Sequence, residues 1–200
     1  MLNENLSVAL AIHPIREVYY KEPAREAMQA IFDDQRYNLN ICVTGFKSKD
    51  AHWGLYVNAP HVVSSYLNNH PNIALERRKK YGHDYDIINP EDLTALLSKD
   101  GASLLEVMLM GGETTPVEGC HHAAFNDLIH WFFNLSPDSL KTLKIVIKFD
   151  TLFFSSRLSD SWEFNGVDSK VMDKITQRYN DQRCSEFKKS IDGIVVVFDK

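Results

Sequence analysis

The sequence has no CxxC pair and only three cysteines, Cys42, Cys120 and Cys184, odd in number and far apart. That excludes a disulfide framework and a zinc ribbon. There is no cationic leader either. The apolar run near the start stops at His13-Pro14, so neither a signal peptide nor a membrane span is written there. A cytoplasmic protein is expected on these grounds, although export by a leaderless route would leave the same sequence. Basic clustering is scarce. One run, Arg77-Arg78-Lys79-Lys80, stands against a formal net charge of −5, which implies no nucleic-acid face and no membrane patch; such a run is ordinarily a solvated helix face. Repeats, low-complexity tracts and linkers are absent, and no motif implies a cofactor.

What is present is ordinary globular chemistry: 200 residues, 44% of them hydrophobic, enough for one sizeable core and a single α/β domain over 1–200. "LSVALAI" (Leu6 to Ile12) is a short apolar run that predicts a buried strand. "EPAREAMQAIFDDQR" follows with Pro23 at a first-turn position and Ala24, Ala27, Met28, Ile31 and Phe32 at helical spacing. "LNICVTGF" predicts a second strand ending at Thr44-Gly45, "AHWGLYVN" a further strand, and "PHVVSSYLNNH" a helix.

"NPEDLTALLSKDG" carries helix signals at both ends: Asn89 to cap, Pro90 in the first turn, acids at the positive end and Gly101 at the exit. "SLLEVMLM" predicts an interior strand, "CHHAAFNDLIHWFF" a helix apolar almost all round, "LKIVIKFD" a strand, and a long helix from about Asp168 precedes a last strand, "GIVVVFD". Strand, helix and strand recur at both ends of the chain. The expected fold is therefore a three-layer, Rossmann-like α/β sandwich with a mostly parallel or mixed sheet. Its ligands would bind beyond the carboxyl ends of the strands.

The loop "GGETTPVEG" after the "EVMLM" strand is the first candidate for chemistry. Gly111 and Gly112 permit a sharp turn and close approach of a ligand, Thr114 and Thr115 add hydroxyls, and a following helix start offers N–H groups to an anion. "GGETTPVE" resembles the Gly-Gly-x-x-Thr-x-x-Glu part of the signature of the lysine-decarboxylase-like (LOG/SLOG) Rossmannoid families, which bind nucleotides and in some members cleave the N-glycosidic bond of nucleoside monophosphates. The resemblance implies a nucleotide- or phosphoribosyl-binding hydrolase. Gly111, Gly112 and Thr115 would hold phosphate, Glu118 would serve the ribose or catalytic centre, and Gly45 with Arg77 or Arg78 would complete the anion site. Met110 stands where that signature has proline, and Thr114 where it has glycine. A structural alternative is a plain strand-to-helix turn with Glu118 as a helix-end acid.

A second candidate overlaps the first. Cys120 opens the helix, where its thiolate is favoured, and His52 in "AHWGLYV" is a candidate base. "HWGLYVNAPHVV" and "GCHH" resemble the permuted NlpC/P60 group that includes lecithin-retinol acyltransferase-like enzymes, which implies a cysteine-dependent hydrolase or acyltransferase. Ser64 stands where that group has a second histidine, with His61 close by. The alternative is a small core cysteine beside a half-buried strand. His121 and His122 are adjacent and point apart, and "GHDYD" (His83, Asp84, Asp86) has no ligand spacing, so no metal site is expected.

A third reading is a non-catalytic interaction or inhibitor protein. "TLFFSSRLSDSWEFNG" sets Phe153, Phe154 and Trp162 among loop-type residues, where exposed aromatics would suit a protein partner.

Overall fold

Every residue of the first strand, β1 (Leu6–Ile12), is buried except the half-buried Ser7. That continuous apolarity follows from its place at the centre of a sheet covered on both faces. The computed structural model describes residues 5–12, 22–45, 52–57, 73–78, 90–97, 101–114, 119–158, 161–166, 169–185 and 193–199. After β1 the elements are α1 (Glu22–Phe32), β2 (Leu39–Gly45), β3 (His52–Val57), β4 (Ile73–Arg78), α2 (Pro90–Leu97), β5 (Leu104–Gly111), α3 (Cys120–Asn134) and β6 (Thr142–Lys148). A 3-10 turn (Phe149–Thr151), β7 (Phe153–Leu158), β8 (Ser161–Gly166), α4 (Ser169–Ser185) and β9 (Ile194–Asp199) complete the order.

Seven strands form one sheet in the order β4-β3-β2-β1-β5-β6-β9. β2, β1, β5, β6 and β9 are parallel; β3 and β4 are antiparallel additions beyond β2. Along the parallel strands alone, in chain order, the sequence across the sheet is 2-1-3-4-5, a doubly wound arrangement that reverses between β1 and β5.

Alternate residues of each central strand face opposite layers. Val8, Leu10, Ile12, Val107, Leu109, Ile145 and Ile147 join Leu93 and Leu97 of α2, Phe125, Leu128 and Trp131 of α3, and Ile175 and Tyr179 of α4 in the larger core. Ala9, Ala11, Cys42, Met108 and Met110 face the other way, against Met28, Ile31 and Phe32 of α1. Small residues at Ala9 and Ala11 let α1 lie close to the sheet. The result is the expected three-layer α/β fold.

Three local expectations fail. The basic run does not line a helix face: Arg77 and Arg78 end strand β4. The stretch read as loop with exposed aromatics forms the hairpin β7–β8, with Phe153 opposite Gly166 and Arg157 opposite Trp162. Phe153 is buried at 7% exposure among Ala9, Met108 and Met110, because the strand turns it towards α1, so it is no exposed anchor for a partner. Phe154 and Trp162 have described strand positions, but their side chains lie outside the described residues, as does the helix expected over "PHVVSSYLNNH".

Candidate functional site at the carboxyl edge

At the reversal between β1 and β5 the connections leave to opposite faces, α1 on one and α3 on the other, the position at which open α/β sheets bind their ligands. β1 ends at Ile12, paired with Gly111 at the end of β5, and with Val43 of β2. Two residues beyond that row, Gly45 pairs with Trp53, and Trp53 with Arg77; His52 pairs with Arg78. Sheet topology therefore gathers Gly45, His52, Arg77, Arg78, Gly111 and Gly112 along one edge. Arg77 and Arg78 stand three strands from β1, about 14 Å at the ordinary strand spacing.

Gly111 and Gly112 have φ of 69° and 86°, the left-handed region that glycine occupies without strain. A Cβ on Gly112 would stand 3.1 Å from the backbone nitrogen of His121 and 3.1 Å from Cγ2 of Ile12. The turn is thus pressed between β1 and the first turn of α3. Several of its polar groups are tied down. Gly111 N donates to Thr151 Oγ1 at 2.9 Å, and Thr151 Oγ1 donates to the Lys148 carbonyl at 2.7 Å. Phe153 N donates to the Gly112 carbonyl at 3.3 Å, Thr114 N to the Phe153 carbonyl at 2.9 Å, and His121 N to the Glu113 carbonyl at 3.2 Å. Gly119 must be glycine for a different reason: a Cβ there would lie 2.2 Å from the Glu113 carbonyl oxygen.

These bonds alter the phosphate geometry expected from the sequence. The N–H groups of Gly111, Thr114 and His121 are already donated within the protein, and Gly111 and Gly112 are buried. Thr115 and Glu118 lie outside the described residues. The acid that the described loop does present is Glu113, half-buried, whose carboxyl is pushed above its usual range by desolvation. Sequence reasoning passed over it in favour of Glu118, although its position directly after the glycine pair at a strand end was a usable signal.

Behind the loop lies a polar cluster in the larger core. The Tyr179 hydroxyl meets Nδ1 of His121 at 2.5 Å, and the Thr114 side chain hydrogen-bonds Tyr179. His121 and Tyr179 also meet edge to face at 5.7 Å, and His122 lies tilted against Tyr179 at 5.2 Å. Burial pushes the His121 imidazole down to about 3, the Leu109 backbone pulling the other way. Burial, then the Arg178 charge, push His122 down to about 4. Burial raises Tyr179, outweighing its bond to Thr114 and the nearby Arg178. Both imidazoles are therefore neutral near neutral pH. Which of the Tyr179 hydroxyl and Nδ1 of His121 donates follows from the tautomer of the ring. Among the described residues, Nε2 of His121 and Nε2 of His122 are buried without a hydrogen-bond partner.

Cys120 opens α3, half-buried against the larger core. β3, which carries His52, is separated from β5, the strand that precedes α3, by β2 and β1, about 14 Å between strand axes. Among the described residues no group of three or more His, Cys, Asp or Glu is placed to hold a metal ion, and no helix is long and apolar enough to cross a membrane. His61, Ser64, His83, Asp84 and Asp86 lie outside the described residues. Set against known proteins, the chain matches no family model, no curated protein and no solved structure.

Proposed function

We propose that the protein binds a small nucleotide or phosphoribosyl compound across the carboxyl edge of its sheet and hydrolyses it there. The observation that carries this reading is the 2-1-3-4-5 strand order, with its reversal between Ile12 and Gly111. In open α/β sheets that position is where ligands bind. Arg77 and Arg78 end their strand on the same edge, and one or the other would be the cationic partner of a phosphate at the far end of an extended ligand. Glu113, with its raised carboxyl, is suited to give or take a proton at the reacting bond, in the role first assigned to Glu118. The glycine turn contributes shape more than charge, since the N–H groups of Gly111 and Thr114 are in use.

The thiol reading would set Cys120 against His52, on a strand three places from β5, because the two histidines next to Cys120, lowered to about 3 and about 4, are too weakly basic to take its proton. Thermal unfolding with a panel of nucleoside mono- and diphosphates and ribose 5-phosphate at millimolar concentration tests binding. Saturation a hundredfold above Kd would stabilise the fold by about 2.7 kcal/mol. A flat response across the panel removes the proposal, and chromatography of any stabilising ligand for released base or ribose phosphate tests hydrolysis.

A further inference from the structure

We propose that β9 is the self-pairing edge of a homodimer in which two copies join their sheets antiparallel about Val196. β9 is the last strand of the seven, and among the described residues nothing pairs with its outer edge. Five of its six residues, Ile194 to Phe198, are apolar in an unbroken run. Val195 and Val197 are 45% and 38% exposed, on the sheet face that α1 leaves uncovered at this end. The opposite edge is built differently. β4 carries Glu76, Arg77 and Arg78, the charges that ordinarily discourage edge-to-edge pairing, whereas β9 has none before Asp199.

A second copy is the occupant that β9 itself specifies. Antiparallel pairing centred on Val196 sets Ile194 opposite Phe198 and Val195 opposite Val197 of the other copy, twice over. Residues opposite one another then share a sheet face, so exposed valines meet exposed valines, and Ile194, Val196 and Phe198 continue the face that packs on the helices. No like charges are opposed: Asp199 falls opposite Gly193. Asp199 is also compensated within its own chain by Lys148 at 3.2 Å, which reaches Asp150 at 3.4 Å as well. Further along that face, Lys144 is held by Glu106 at 2.6 Å, so each of these charged groups has a partner of opposite sign within its own chain. A six-residue edge buries less than the roughly 1,600 Å² of a standard interface, so the dimer is expected in the micromolar range.

Sedimentation velocity of the full chain from low micromolar to submillimolar concentration is the test. The expected result is a shift from the 22.9 kDa chain to twice that mass. Val195→Lys and Val197→Lys should each weaken association on the order of 100-fold, by placing a lysine at the centre of the seam. Leu135→Lys, at a position 44% exposed after α3, should leave association unchanged. Hydrogen exchange of the unmodified chain keeps the question open to refutation if a variant misfolds: amides of 194–199 should gain protection as concentration rises. A monomer throughout, a dimer indifferent to both lysines, open-ended aggregation, or concentration-independent exchange in β9 would each overturn the proposal.

Discussion

The hydroxyl of Tyr179 lies 2.5 Å from Nδ1 of His121, joining α4 to the first turn of α3 in a region where both residues are fully buried. Because Thr114 also bonds Tyr179, one phenol holds the end of the glycine turn and the start of the helix it leads into. Tyr179→Phe should therefore cost about 1–3 kcal/mol by leaving two buried polar groups without a partner. The checking measurement is the urea midpoint at unchanged m. A double variant with Thr114→Val should cost less than the two single changes added, since they share one network.

Acid should weaken the fold through the same cluster. His121 and His122 titrate at about 3 and about 4 in the folded chain, against an ordinary 6.5. Below 6.5 the unfolded chain binds protons that the folded chain refuses, so their contribution is fully present above that value and is lost as pH falls towards 4 and then 3. At about pH 5 the loss is on the order of 2 kcal/mol for each histidine. Glu113 acts in the opposite sense, because a raised carboxyl favours the folded state as pH falls through its folded value. The decisive comparison is thus between the unmodified chain and His122→Gln, which should show a distinctly shallower fall in urea midpoint between pH 7 and pH 5.

Three glycines should rank by what surrounds them. Gly101 has φ 84° with nothing within 4 Å of an added Cβ, so alanine there costs only backbone strain, about 1 kcal/mol. Gly112→Ala adds contacts of 3.1 Å with Ile12 and His121 to the same strain and should cost about 2–3 kcal/mol. Gly119→Ala meets a carbonyl oxygen at 2.2 Å and should be the most damaging. Thermal unfolding of the three variants checks the order; equal losses would mean that the turn relaxes freely.

If the edge hydrolyses a nucleotide or phosphoribosyl bond, Glu113→Gln should lower turnover by about 10²–10⁴-fold while thermal stabilisation by the same ligand persists. Loss of both together would instead assign Glu113 to binding. Abolition of turnover by alkylating Cys120, with Glu113→Gln still active, would return the chemistry to the thiol.

Much of the fold was legible because its strongest signals are local. The continuous apolarity of β1 and β5 and the cap-to-exit pattern around α2 need no distant information. β4 was not legible: "IALERR" ends in three charged residues, and only pairing with β3 makes it a strand. The β7–β8 hairpin was hidden by its serines, and the inward turn of Phe153 depends on which face of the strand meets α1. At the candidate site the glycine pair was legible. Its partners Thr151 and Phe153 lie 40 or more positions further along, and only the folded chain brings their atoms to the turn.

The register of the central strands also bears on how the molecule is made. Leu6 pairs with Leu105, so β1 leaves the ribosome 99 residues ahead of its partner in β5. Pairings of such long sequence separation form slowly. During synthesis the bare side of β1 is a sticky apolar ribbon, and a chain interrupted anywhere before β5 should be a substrate for chaperones rather than a smaller version of the same protein.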